Sequence, residues 1–215
     1  MSMQHPPSAR PEGLRERKRR ATENAIELAA VELALEKGFA LVTVAEICER
    51  AKVSRSTFFN YMPNRDAAIM GRPIALVPRD IAFALLDGAD NDVPLGLLRI
   101  TVASIGHNGV NAPVAAGRRR LAIEQPDAAR LQHTTLGDLR TALLALTVEW
   151  LGARPERRAL PNIPVQREAR LLVGIAGTAA EVLIEEWADA DGELQISEQS
   201  FHTAIAELGA VLHRA

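Results

Sequence analysis

Apolar positions recur at helical spacing along nearly the whole chain. In TENAIELAAVELALEKGF, Ile26, Ala29, Ala30 and Leu33 fall at i, i+3, i+4 and i+7, the stripe of an amphipathic helix. Lys37 followed by Gly38 marks its end. TVAE, Thr43 to Glu46, is a capping box: the Thr43 hydroxyl can accept from the Glu46 amide while the Glu46 carboxylate reaches back to the Thr43 amide. The short helix it opens turns Val44, Ile47 and Ala51 inward, with Cys48 beside them as a small buried hydrophobe. Lys52-Val53-Ser54 then makes a three-residue turn, and Ser54 caps a third helix of about seven residues. Helix, short turn and helix form a helix-turn-helix. In that third helix Phe58, Tyr61 and Met62 make a narrow apolar stripe that anchors it on the first two. Arg55, Ser56, Phe59 and Asn60 come to the opposite face, with Thr57 at its edge. A merely solvated face has no use for Phe59. A face resting in a DNA major groove does, because an aromatic packs on a thymine methyl or a sugar, and Arg55 at the helix start reaches a guanine edge.

Asn64 caps a fourth helix, RDAAIM, which stops at Gly71-Arg72-Pro73. Pro78 and Asp80 begin RDIAFALLDG, ended by Gly88, and the two prolines predict a broken connection. A domain boundary is therefore expected near residues 64–78. Further helices are expected over about 94–107, 113–124, 127–152, 165–188 and 198–214, with a Pro- and Arg-rich loop before the last two. The stretch from Leu171 to Ile184 is apolar nearly all round, so it must be buried on more than one side. Leu172, Ile175, Ala179, Val182 and Leu183 share one face; Gly174 and Thr178 on another would admit a close second helix. Ser197 opens the last helix, with Ile196 and Phe201 placed as a hydrophobic staple. Phe201, Ala204, Ile205, Leu208 and Leu212 continue the stripe. These two helices fit a four-helix interface between two subunits, or they close the core of one. The expected fold is all-α: an arm over 1–13, a three-helix helix-turn-helix domain over 14–70, and a helical domain for effector binding and dimerisation over 71–215.

Composition narrows the function. The 215 residues are 47% apolar, 4% aromatic and carry a net charge of −2. Residues 1–72 hold 12 basic against 9 acidic side chains, a local +3, with five of the six residues from Arg15 to Arg20 basic. Such a run is commonly a solvated face, yet beside a helix-turn-helix it supplies the phosphate contacts that drive DNA affinity. Arg17, Lys18, Arg19 and Arg20 are its candidates. A single cysteine, Cys48, excludes an internal disulfide and points to a reducing, cytoplasmic setting. No run approaches the roughly 18 apolar residues of a membrane span, and the polar, proline-bearing start reads as a disordered arm without a secretory leader. Enzyme motifs are missing: no phosphate loop, no Gly-x-Ser-x-Gly, no Cys-x-x-Cys, no paired histidines at ligand spacing. No cofactor, metal or catalytic residue is expected.

The run GFALVTVAEICERAKVSRSTFFNYMPNRDAAI, Gly38 to Ile69, resembles the TetR/AcrR family of bacterial transcriptional regulators. It shares a glycine after the first helix, a Thr-Val-x-x-Ile second helix, Ala-x-Val-Ser-x-x-Thr-Phe with a following aromatic, and a basic residue opening the fourth helix. It departs from the pattern in Lys52, where glycine is common, in Phe59, where tyrosine is common, and in Met62, where phenylalanine is common. The resemblance implies that Thr43 and Val44 lie near phosphate at a helix N-terminus. It implies that Lys52, Ser54, Arg55, Ser56, Thr57, Phe59 and Asn60 approach or face the groove, and that Tyr61 and Arg65 approach the backbone. It further implies a homodimer on a palindromic operator and a small effector between the middle helices. Phe83, Leu86, Leu97, Ile100, Ile105, His107, Leu143, Leu146, Trp150 and Trp187 are candidates to line that pocket. The scarcity of aromatics between Phe83 and Trp150 favours an aliphatic, lipophilic effector. The expected function is a DNA-binding regulator, a repressor released by that effector; the alternative is a helix-turn-helix protein whose C-terminal domain binds another protein instead.

Overall fold

The computed structural model describes residues 13–105, 109–188, 193–195 and 197–212. The expected arm over 1–13 lies almost wholly outside them. Ten α-helices follow in order: α1 (Leu14–Lys37), α2 (Val44–Ala51), α3 (Arg55–Tyr61), α4 (Arg65–Met70), α5 (Arg79–Asp87), α6 (Val93–Ile105), α7 (Ala112–Glu124), α8 (Pro126–Ala153), α9 (Val165–Ala188) and α10 (Glu198–Leu212). The helices carry the fold, as the periodicity predicts. One small departure is an antiparallel pair, β1 (Gly109–Asn111) with β2 (Glu193–Gln195), in which Val110 faces Leu194. It joins the α6–α7 connection to the α9–α10 connection. Three residues per strand are too few to leave an alternation that the sequence could show.

Local chemistry sets the helix ends. Gly38, at φ 98°, turns the chain out of α1 while its N–H bonds the Ala34 carbonyl at 3.0 Å; a side chain there would be strained. Asn64 caps α4 by accepting from the Ala67 amide at 2.8 Å. Residues 71–78 are non-helical, as the two prolines predict. Arg15 to Arg20, the basic run, form the first turns of α1 itself.

Two apolar cores result. The first gathers Ile26, Ala30, Ile47, Phe58, Met62 and Ile69 from α1 to α4, and it also takes in Val114 and Leu121 of α7 and Ala128 of α8. The core of the expected helix-turn-helix domain is therefore not closed by residues 14–70 alone. Gly117 permits the approach of α7 to α1, since a Cβ there would lie 2.2 Å from Cγ1 of Val31. Val31 is β-branched and stiff, so it has little room to yield. Arg118 secures the same junction. Its guanidinium donates to the Ile69 carbonyl at 2.8 Å, the Ala68 carbonyl at 3.3 Å and Glu27 at 2.8 Å. These carbonyls belong to the last turn of α4, where no intrahelical donor reaches them. Gln125 completes the seam: its Oε1 accepts from the Phe39 amide at 2.6 Å and its Nε2 donates to Ala34 at 3.2 Å. Arg120, two residues beyond Arg118, is instead exposed and pairs with Glu124 at 2.7 Å.

The second core joins α5, α6, α8, α9 and α10 around Trp150, Leu86, Leu97, Ile100 and Phe201. Trp150 satisfies its indole N–H on Asp87 at 3.0 Å, and Arg154 bonds the other Asp87 oxygen at 2.7 Å. At the base of α9, Glu168 is only 1% exposed. It accepts from Arg158 at 2.8 Å and from the amides of Ala159 and Leu160 at 2.7 and 3.0 Å, tying the preceding loop to the helix.

Candidate nucleic-acid interface

The capping box at α2 forms as its spacing predicts. The Glu46 amide donates to the Thr43 hydroxyl at 3.3 Å, and the Glu46 carboxylate accepts from the Thr43 amide at 2.9 Å. The Lys37 ammonium beside it, then the Thr43 hydroxyl and amide, hold the Glu46 carboxyl down to about 2. What Glu46 contributes to stability is thus fully present above its ordinary value of 4.5 and lost as pH falls toward 2. The same bonds qualify the expectation for Thr43. Its amide and hydroxyl already serve Glu46, so the terminal donors remaining for an anion are the amides of Val44 and Ala45.

The turn depends on Lys52. It sits in the left-handed region at φ 53° and ψ 42°, the conformation that makes glycine common there. A non-glycine residue accepts it at a cost of about 1–2 kcal/mol, while the Val53 amide closes the turn onto the Cys48 carbonyl at 3.0 Å. Lys52 itself stays exposed at the turn. Ser54 then caps α3 by accepting from the Thr57 amide at 3.0 Å, and its hydroxyl lies 2.8 Å from those of both Ser56 and Thr57.

This short helix is seated by Phe58 and Met62, both at 0% exposure, with Tyr61 partly buried beside them. Arg55, Ser56, Phe59 and Asn60 stand exposed together on the opposite face, and Thr57 is intermediate. The structure thus brings the expected reading residues onto one open surface. Phe59 is 47% exposed. Its ring meets Phe58 edge-on, with centroids 5.2 Å apart at 89°, and the Arg55 guanidinium lies 5.7 Å from its centroid.

Arg65, expected to approach the DNA backbone, is engaged within the chain. Its guanidinium bonds Asp66 at 2.6 and 2.8 Å, donates to the carbonyls of Ala40 and Val42 at 3.1 and 3.3 Å, and stacks on Phe39. It braces the α1–α2 connection. Along α1, Arg17 and Lys18 are exposed, Arg20 is partly buried, and Arg19 pairs with Glu16. Arg72 went unread in the sequence beyond its place in a stop signal. It pairs with Glu23 of α1 and donates to the Tyr61 carbonyl at 3.4 Å, holding the α4–α5 linker against both helices. Its only sequence signal was a lone arginine between Gly71 and Pro73.

In the larger core, Phe83, Leu86, Leu97, Ile100, Leu143 and Trp150 are each 8% exposed or less and pack in one cluster. A ligand among them would have to part these side chains. Ile105 and Leu146 are partly buried, Trp187 falls in the last turn of α9, and His107 lies outside the described residues. The residues of the expected dimer face lie largely against the core of the single chain. Ala179, Leu183 and Phe201 are buried within the single chain, and Leu172, Val182, Ile205 and Leu208 pack against the same core. Ile175 alone of that set is open, at 38% exposure; Leu212 is the last residue of α10. The face left open on α9 is the small-residue side, where Gly174 and Thr178 are exposed with Leu171 at 49% and Ile184 at 44%. A helix that is apolar nearly all round carries too little contrast along its sequence to tell these faces apart. Among the described residues, no helix is long and apolar enough to cross a membrane.

Comparison with known proteins agrees with the geometry of the first four helices. Residues 26–67 match the family model described as bacterial regulatory proteins, tetR family. An uncharacterized helix-turn-helix-type transcriptional regulator, YdeS of Bacillus subtilis (strain 168), is 53% identical over 49 residues, which are 23% of this chain and 25% of that protein. The match thus spans about a quarter of the curated relative's length. Among solved structures, E. coli NemR in its reduced form is 16% identical with a TM-score of 0.45, covering 87% of this chain and 95% of that one. A TetR-family regulator from Syntrophomonas wolfei is 14% identical with a TM-score of 0.46, covering 89% and 95%. The matched region begins at Ile26, inside the apolar stripe of α1, and ends at Ala67 of α4, so it encloses the whole helix-turn-helix. Over that region, residues 26–67, the chain is similar to the tetR family of bacterial regulatory proteins.

Proposed function

We propose that the chain regulates transcription as a homodimer on a palindromic operator, reading bases with α3 and acting as a repressor released by a small lipophilic effector. The observation that carries the reading is the open face of α3, where Arg55, Ser56, Phe59 and Asn60 stand exposed over a fully buried Phe58 and Met62. Arg17, Lys18 and Lys52, exposed at the start of α1 and at the turn, would add phosphate contacts. The open strip of α9 along Leu171, Gly174, Ile175 and Thr178 supports pairing of two copies, because its small residues allow close helix approach. On this reading residues 14–70 read DNA and 71–215 dimerise and sense.

Selection of genomic fragments by the purified chain, against excess non-specific DNA at fixed physiological salt, should recover a palindrome. Arg55→Ala should then cost about 1–3 kcal/mol and relax base preference at one position per half-site. An equal loss on every sequence would make Arg55 a phosphate contact and remove it from the reading set.

The packed state of Phe83, Leu86, Leu97, Ile100 and Trp150 favours a second reading, in which the larger domain binds a protein and no small molecule. Thermal melting separates the two. An effector at a hundred times its dissociation constant stabilises the folded chain by about 2.7 kcal/mol, a rise of several degrees. A panel of medium- and long-chain acyl compounds that leaves the melting temperature unchanged would support the protein-partner reading.

A further inference from the structure

The reading of α3 as the DNA-facing helix leaves open what a phenylalanine does at position 59. Phe59 has no hydroxyl to offer a phosphate, so its ring can act only by packing and by its quadrupole. The ring is held on two sides. Phe58, fully buried, presses against it edge-on at 5.2 Å, and the Arg55 guanidinium lies 5.7 Å from its centroid, one helical turn away. A cation over an aromatic face is attracted to the negative ring. Among the described residues, this ring is the partner Arg55 has, and no carboxylate pairs with it. The stack therefore runs from the core of the domain, through Phe59, to the guanidinium that stands at the surface.

We propose that Phe59 is a positioning residue, holding Arg55 as one stacked reader that selects a guanine with a thymine close beside it in each half-site. An arginine fork matches the O6 and N7 acceptors of guanine, and the exposed part of the ring offers an apolar seat for a thymine methyl. Arg55 and Phe59 are four residues apart, about 6 Å along a helix, which is under two base-pair steps of about 3.4 Å. The thymine is therefore expected within about two base pairs of the guanine. Phe59 acts on the guanine only through Arg55 and touches the thymine directly.

The test uses the full chain and a duplex carrying its selected site, with two base analogues. Replacing the guanine by 7-deazaguanine removes N7, and replacing the thymine by uracil removes the methyl. The unmodified chain should lose about tenfold in affinity for the first and about fourfold for the second, the value of one methyl group. Phe59→Leu keeps an apolar side chain but no ring, and should lower the 7-deazaguanine penalty to about threefold or less. Phe59→Tyr keeps the ring and should retain the full penalty. The far-ultraviolet circular dichroism spectrum and melting temperature of Phe59→Leu should match those of the unmodified chain, which shows that α3 is still folded and seated. If Phe59→Leu discriminates against 7-deazaguanine as strongly as the unmodified chain, Phe59 does not position Arg55 and the proposal is overturned. If the selected site lacks a thymine near the guanine, the shared reader is overturned as well. An unmodified chain with no sequence preference would instead overturn the assignment of α3 to DNA, and this proposal with it.

Discussion

Phe58→Ala is expected to lower the unfolding free energy by about 3–5 kcal/mol, the usual cost of emptying a buried phenylalanine site. The side chain is 0% exposed and lies among Ile26, Ile47, Met62 and Ile69, contributed by four different segments of the helix-turn-helix. No single neighbour can relax into the hole, because each is fixed in a separate helix. Against a total stability of about 5–15 kcal/mol for an ordinary domain, that loss is large. Phe58→Leu fills most of the volume and should cost about 1–1.5 kcal/mol. Urea unfolding followed by far-ultraviolet circular dichroism reads both. A loss under 1 kcal/mol for the alanine variant would show that the core collapses freely around this position, and the anchoring of α3 would need another source. DNA binding should fall with Phe58→Ala even where the chain stays folded, since the same ring supports Phe59.

Glu168→Ala should destabilise the chain by a comparable amount, about 3–5 kcal/mol, because it strands a buried charge. The carboxylate is 1% exposed, and the Arg158 side chain opposite it is 16% exposed. Removing Glu168 also leaves the amides of Ala159 and Leu160 without their acceptor. Glu168→Gln separates these contributions, since its carbonyl can still accept from the amides while the charge is gone; a smaller loss of about 1–3 kcal/mol is expected. Burial alone would push the Glu168 carboxyl up. The Leu160 amide, Arg158 and the Ala159 amide together outweigh it and leave the group below its ordinary value of 4.5. A carboxyl depressed in the folded state binds its proton more readily when unfolded. Its stabilisation is therefore present in full above about 4.5 and declines as pH falls through the lower folded value. The unmodified chain should lose stability over that acid range more steeply than Glu168→Gln. Parallel pH profiles for the two would show that the charge of Glu168 contributes nothing.

What the sequence made legible was whatever depends on neighbours along the chain. Thr43 with Glu46, Ser54 with Thr57, and Asn64 with Ala67 are contacts across three residues, and all three caps form as their spacing requires. The alternation of Phe58, Tyr61 and Met62 against Arg55, Ser56 and Phe59 likewise follows from helical geometry alone. Long-range partners were hidden. Arg118 stands in a run of three arginines that looks like a solvated face, yet it meets Glu27 and the end of α4, some fifty to ninety residues away. Arg65 looked like a phosphate ligand because of where it opens α4, while its acceptors at Ala40 and Val42 lie on another segment. The faces of α9 were confused for a different reason. With apolar residues all round, its sequence holds too little contrast to say which side meets α8 and α10 and which stays open. The stacking of Arg55 on Phe59 was not read as a pair in the sequence either, although their spacing of four places them on one face of α3.

The seam between α7 and the first core has a bearing on how the protein is made. Ile26 and Phe58 leave the ribosome early, but Val114, Leu121 and Ala128, which complete their core, come much later. At about 5–20 residues per second, the stretch from Ile69 to Ala128 takes about 3–12 s to synthesise. For that interval the nascent helix-turn-helix carries an uncovered apolar flank, along Val31 and the neighbouring turns of α1, where Gly117 will later settle. A gene truncated after α4 would leave the flank bare permanently. Its product would face the cell as a chaperone client and an aggregation hazard, not as a minimal DNA-binding fragment.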